Sequence, residues 1–502
     1  MASKKAKSCF VCGSAAFQNC GACHVTAYCG RDHQRLHWRN GHKAECGKFS
    51  ERAGHLVAAR DLEPGTEILR EEPILITPLS NSTCLCSVCY KVLNPDDEQS
   101  WMKCSKCEWP LCSEKCESSS HHAQECNLLQ NLRPDSQNRY AKLAALRFLM
   151  IGGESRKKFE NLNLRKGNLV PIKVSETNLG HSESEINQAL NTVTANSCEI
   201  NKSGYKYQGF YVKTLKVAHN CIPNSKLMFV NDNLLLMSTV KINKGELITC
   251  SYVKTMIGTL ERKEQLLNKG IDCSCKRCAD PTELGTFAGS VYCFTCAENE
   301  EEKSEENVVL PKMLSSNPLD ILAPWTCEVC NRSIPSKFMK FGNITIHEEI
   351  DRLDKSSPAA IEKFLSKYEK ILHPTNAHVI RVKFDLMQIY GTVSGYSYSE
   401  LDIKTIDNIV NTCQDLLEIA EKLDPGWSKF RGCLLMSLQA AMVIQTKHMF
   451  NNNLISKNET TDTLGECMVL LQEAVKILST EPELKDKLTE NLQAFSTEMD
   501  FE

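Results

Sequence analysis

The clearest periodicity lies in the last third of the chain. Ile406, Ile409, Val410, Cys413, Leu416, Leu417, Ala420 and Leu423 recur at i, i+3, i+4 and i+7, the spacing of one helix face. Asp-Pro-Gly at 424–426 stops that helix, because proline lacks the N–H that a helix interior needs. Leu464, Met468, Leu471, Val475 and Leu478 make a second stripe that ends before Pro482. From about residue 340 onward the pattern is helical and predicts antiparallel helix pairs. Residues 53–77, "AGHLVAARDLEPGTEILREEPILIT", read differently: apolar and polar positions alternate around a Glu-Pro-Gly turn, which predicts β-hairpin structure. No run of 18 apolar residues and no signal-peptide core occurs, so neither a membrane span nor secretion is expected. A chain of 502 residues is too long for one core, so several domains are expected.

The net charge of −3 provides no basic surplus and excludes a nucleic-acid binder that works by phosphate neutralisation. The 27 cysteines change the picture. In a chain without secretion signals, thiolate–zinc chemistry explains them better than disulfides. In the first fifty residues Cys9, Cys12, Cys20, Cys23, Cys29, His33, His42 and Cys46 supply eight ligands, enough for two tetrahedral sites. Residues 84–126 repeat the pattern with Cys86, Cys89, Cys104, Cys107, Cys112, Cys116, His122 and Cys126. Downstream, Cys273, Cys275 and Cys278 form C-x-C-x2-C and need a fourth ligand. Cys293, Cys296, Cys327 and Cys330 read as a zinc ribbon around a solvated acidic loop. Of the cysteines left over, Cys413, Cys433 and Cys467 fall on apolar helix positions and read as core.

Residues 9–46 resemble a MYND zinc finger, with His33 where that family has a cysteine. The resemblance implies interleaved ligands: Cys9, Cys12, Cys29 and His33 on one zinc, Cys20, Cys23, His42 and Cys46 on the other. Residues 84–126 resemble a second such finger. The strands around 53–77 resemble the opening of a SET domain, and "TANSCEIN", "YQGFYVKTLKVAHNCIPNSKL" and "KGELITCSYV" supply its remainder in family order. The chain therefore resembles the SET and MYND methyltransferase family over nearly its whole length, and the extra N-terminal finger resembles the arthropod-specific branch. The implied fold class is α+β. A finger at 1–46 is followed by SET strands at 47–83, an inserted finger at 84–126 and the SET core with a helical insert at 127–255. A post-SET zinc segment at 256–285, a zinc ribbon at 286–335 and a helical domain at 336–502, similar to tetratricopeptide repeats, complete the order.

What this resemblance implies chemically is methyl transfer from S-adenosylmethionine to a lysine amine of a protein substrate. Tyr252 matches the tyrosine that aligns amine and methyl; an ordinary strand aromatic is the alternative. Cys221 matches the fourth ligand of the post-SET zinc. Asn196 and His219 match cofactor contacts. The rest of that pocket departs from the family: Ala53 replaces a glycine, with Gly54 and His55 next to it, Ala218 replaces an asparagine, and Lys269 and Ile271 replace aromatics. Gln34 and Trp38 lie four apart and match residues that bind proline-rich corepressor peptides, although Trp38 also fits the finger's own core. No such pair follows Cys116. Two readings result. One is a protein-lysine methyltransferase acting in transcriptional regulation. The other is a zinc-rich adaptor that recruits corepressor proteins or deacetylase complexes through the first finger. About six zinc ions, S-adenosylmethionine, a monomeric state and a place inside the cell, nuclear or cytoplasmic, are expected, with no membrane and no direct nucleic-acid contact.

Overall fold

A computed structural model describes residues 9–12, 14–22, 26–94, 97, 99–132, 138–160, 162–174, 179–202, 205–301, 310–481 and 484. Helices and sheets are mixed up to about residue 335, and the region beyond is helical. Among the described residues no helix is long and apolar enough to cross a membrane.

The centre consists of short sheets. Phe49–Arg52 and His55–Ala58 pair antiparallel. Ala53 and Gly54 turn this hairpin with φ of 51° and 83°, the doubly positive geometry that suits the twist of paired strands. Glu67–Glu71 lies beside Asn233–Ser238, which in turn pairs with Ser225–Val230. Leu75–Pro78, Tyr205–Phe210 and Ser197–Lys202 form another sheet in that order. The alternation in residues 53–77 thus feeds strands to three different sheets and does not pair with itself. Alternation fixes which face of a strand is buried; it does not choose the partner strand. A short parallel pair, Ala218–His219 with Thr249–Cys250, brings the two central motifs side by side.

The second finger has no core of its own. Leu85, Trp109 and Leu129 are buried with Leu143, Leu190 and Phe210 of the neighbouring helices and sheet. Trp109 Nε1 donates to the Leu132 carbonyl at 2.7 Å, and Arg147 grips Glu125 with two bonds of 2.8 and 2.7 Å. The first finger, in contrast, closes on its own small cluster of Cys9, Cys20 and Tyr28, with Val11 and Trp38 packed against it.

Among the described residues six helices build the C-terminal region: Ser336–Arg352, Pro358–Tyr368, Ala377–Ile389, Ile403–Leu423, Lys429–Asn451 and Lys457–Leu478. Ile406, Ile409, Cys413, Leu416, Ala420 and Leu423 are all buried, as are Cys433 and Cys467. Asp402 caps the fourth helix by accepting the Thr405 N–H, which satisfies one of the free donors of the first turn. The loop after this helix anchors the bundle on the sheets, where the Trp427 N–H donates to the Thr239 carbonyl at 2.8 Å.

Candidate active site and metal centres

Among the described residues, groups of four ligands converge at five places, with the ligand atoms of each within 4.8 Å of one another. They are Cys9, Cys12, Cys29 and His33; Cys86, Cys89, Cys112 and Cys116; Cys104, Cys107, His122 and Cys126; Cys221, Cys273, Cys275 and Cys278; and Cys293, Cys296, Cys327 and Cys330. Tetrahedral zinc with bonds near 2.3 Å puts its sulfurs about 3.8 Å apart. Cys12 and Cys29 are 3.7 Å apart, Cys89 and Cys112 3.5 Å, Cys104 and Cys126 3.8 Å, Cys221 and Cys273 3.9 Å, and Cys296 and Cys327 3.8 Å. Soft donors at these separations fit zinc. A sixth group is seen in part: Cys20 and Cys46 stand 3.8 Å apart, His42 is buried, and Cys23 lies outside the described residues.

The metal group around Cys221 supports the candidate active site. Cys221, two residues past the strand Ala218–His219, meets Cys273, Cys275 and Cys278. His219 Nδ1 accepts the Tyr252 N–H at 3.2 Å, and its Nε2 stands 3.3 Å from the Cys221 sulfur. Burial pushes the imidazole down to about 4. It is therefore neutral at ordinary pH, and an acceptor at Nδ1 places its single proton on Nε2, facing the sulfur. Such a bond orients a metal ligand. Below this site, Glu283 Oε2 accepts from Arg262 at 2.8 Å and from Arg277 at 3.0 Å, and both arginines are fully buried.

Tyr252 sits at the junction, and its hydroxyl is already engaged. It donates to the Val217 carbonyl and accepts from Arg165 Nη1 at 3.2 Å. The Arg165 guanidinium also stands 4.5 Å from the Tyr252 ring centroid, a cation–π arrangement. Burial pushes the phenol up, so it stays protonated. Asn196 is buried and fully committed. Its oxygen accepts the Arg165 N–H at 3.1 Å, and its nitrogen donates to the carbonyls of Arg165 and Thr192 at 2.8 and 2.7 Å.

The other expected cofactor residues are scattered. Ala53, Gly54 and His55 are exposed on the hairpin turn. Ala218 is half-buried and pairs with Thr249. Ile271 packs against Leu266, Cys273 and Cys278. Lys269 is held down from the usual amine range, chiefly by burial, with Cys198 opposing and Arg165 adding to the shift. A cleft of about 710 Å³ opens elsewhere, between the second finger and the sheets, and its lining includes neither Tyr252 nor His219. As folded, these residues do not fit a sulfonium methyl donor. The hydroxyl that should face the reacting atoms holds Arg165, the asparagine is spent, and the Arg165 guanidinium puts a cation over the Tyr252 ring. Nothing in the sequence pattern singled out Arg165. It belongs to no motif, and only its backbone pairing with Asn196 reveals it.

In the first finger, Gln34 and Trp38 are both half-buried. The α-helix Arg31–His37 widens into a π-turn at Trp38–His42, so the pair straddles a change of helix type. The Trp38 ring meets the His42 ring edge-on, with centroids 5.8 Å apart.

The family model "MYND finger" matches residues 9–46. The SET domain-containing protein SmydA-8, isoform B, of Drosophila melanogaster is 23% identical over 396 residues, covering 74% of this chain and 85% of the relative. Histone-lysine N-methyltransferase SMYD3 of Homo sapiens is 26% identical over 273 residues, 47% of this chain and 61% of its own length. Histone-lysine N-methyltransferase ASHR1 of Arabidopsis thaliana is 24% identical over 267 residues, 45% and 52% of the two chains. The MYND finger, the paired ligand groups and these relatives together identify the chain as a relative of the SET and MYND domain-containing proteins, similar among them to the SmydA-8 proteins.

Proposed function

We propose that the chain is a protein-lysine methyltransferase of the SET and MYND type that acts in transcriptional regulation and carries about six structural zinc ions. One observation supports this reading above the others: Tyr252, His219 and Cys221 meet through direct contacts at the zinc group of residues 273–278. Once its hydroxyl is released from Arg165, Tyr252 would orient the lysine amine. The role assigned to histone-lysine methyltransferases among the relatives fits the same centre.

Ala218 is the test position. Ala218→Asn adds a carboxamide next to His219, and one hydrogen bond to a buried polar ligand contributes about 1–3 kcal/mol. Calorimetry with S-adenosylmethionine should show tighter binding than wild type by roughly 5- to 150-fold. Absence of binding in both chains counts against the methyltransferase reading.

A second reading, a corepressor-recruiting adaptor, draws on the first finger. Trp38 is half-buried, and Phe17 beside the strand Gln18–Asn19 is 84% exposed. On this reading Trp38→Ala abolishes capture of proline-rich peptides and leaves the zinc count unchanged. Peptide titration with metal analysis checks both halves, and a larger loss from changes at residues 117–121 would move the groove to the second finger.

A further inference from the structure

Residues 162–174 run past Tyr252 without regular secondary structure, and the helix Glu183–Asn196 holds that segment by its backbone. Asn196 accepts the Arg165 N–H at 3.1 Å, Asn191 the Leu169 N–H at 3.0 Å, and Asn187 the Ile172 N–H at 2.8 Å. Glu183 accepts the Val174 N–H at 2.9 Å. Residues 183, 187 and 191 are four apart, so they share one helix face, and Asn196 holds the segment separately from the helix's last position. Leu162, Leu164, Leu169, Ile172 and Val174 pack part-buried onto the core beneath. On its other side the segment touches the turn before the zinc ligands. The Asn168 N–H donates to the Asn268 carbonyl at 3.2 Å, and Gly270 lies at φ 71°, where a Cβ would come within 2.3 Å of the Lys166 carbonyl oxygen. Only glycine allows that approach.

This packing sends one side chain inward. The Arg165 guanidinium covers the Tyr252 ring, bonds to the Tyr252 hydroxyl, and donates through Nε to the Ala195 carbonyl at 3.0 Å. We propose that residues 162–174 are an internal strap in which Arg165 fills the cation position beside Tyr252, and that the asparagine ladder keeps the methyl-donor pocket closed until the strap is displaced. The proposal rests on the methyltransferase reading. A guanidinium and a sulfonium compete for the same aromatic face, because both are cations stabilised by a ring quadrupole. The observed affinity for a donor is therefore lowered by the fraction of molecules in which the strap is open.

Calorimetry with S-adenosylmethionine on the full chain tests this. Three proteins are compared: wild type, Arg165→Met, which keeps an apolar stem over Tyr252, and Asn187→Ala/Asn191→Ala, which loosens the strap without touching the pocket. Native zinc content and a single cooperative melting transition establish folding, and if one variant fails to fold the other decides. An open fraction of about 1–10% in wild type predicts donor binding tighter by roughly 10- to 100-fold in Arg165→Met, with the ladder variant shifted the same way. Saturating donor should also speed hydrogen exchange at the Leu169 and Ile172 amides of wild type. Equal affinity in all three proteins, or weaker binding in Arg165→Met, overturns the strap and leaves the methyltransferase reading standing. No binding in any folded protein overturns both.

Discussion

Replacing Glu283 with alanine should destabilise the protein by about 3–5 kcal/mol, because it leaves two buried guanidiniums without their counter-charge. Arg262 and Arg277 have no exposed surface, and both bond to Glu283 Oε2. The other carboxylate oxygen accepts the Thr259 N–H at 2.8 Å. Burial pushes the Glu283 carboxyl up, but the two guanidiniums outweigh it and hold it below the usual carboxylate range. The group is therefore ionised and acts as the anion of a three-membered network. The network joins the helix Thr259–Asn268 to the segment Lys276–Ala279, which carries Cys278 of the candidate zinc ligands. Urea denaturation followed by circular dichroism should show the midpoint falling with little change in slope. Glu283→Gln keeps the shape, loses the charge and should lose less. A Glu283→Ala protein as stable as wild type would mean that water reaches these arginines.

The second large effect is expected from Cys221→Ser. Cys221 is buried and lies 3.4 Å from Cys278 and 3.9 Å from Cys273. Structural zinc contributes on the order of 10 kcal/mol of folding energy in small fingers, and a serine hydroxyl is a poor replacement for a thiolate. Native mass spectrometry should find one zinc fewer, and hydrogen exchange should rise across 271–279 and at the Tyr252 amide, which depends on His219. The fingers at 9–46 and 84–126 should keep their metal. A full zinc complement in Cys221→Ser would remove this cysteine from the ligand set.

The metal groups were legible because a zinc ligand set is written in side-chain type and short spacing, and both survive without knowledge of the fold. The C-terminal helices were legible for a related reason: Ile406 to Leu423 repeat one face over five turns. The partners of the strands in 53–77 were not, since alternation carries no address for the neighbouring strand. The site residues divide along the same line. Tyr252, His219 and Cys221 sit inside a motif and were found to meet. Arg165 lies in a segment with no periodicity, and its placement comes from three asparagines on a helix twenty to thirty residues downstream. Asparagines at 187, 191 and 196 look like ordinary polar helix positions until a backbone is seen lying along them. Ala218 was visible as a departure from the family's pattern, whereas the cation now beside Tyr252 could only come from tertiary packing.

The most direct test of the central claim is methyl transfer to lysine. Full-length wild type, Arg165→Met and Arg165→Met/Tyr252→Phe are incubated with S-adenosylmethionine and a mixture of core histones, and modified lysines are located by peptide mass spectrometry. The account predicts lysine methylation that is stronger in Arg165→Met than in wild type, and a loss of roughly 100-fold when the Tyr252 hydroxyl is removed, the scale of one lost transition-state contact. Unmodified lysines in every reaction, or equal methylation with and without the Tyr252 hydroxyl, would contradict it.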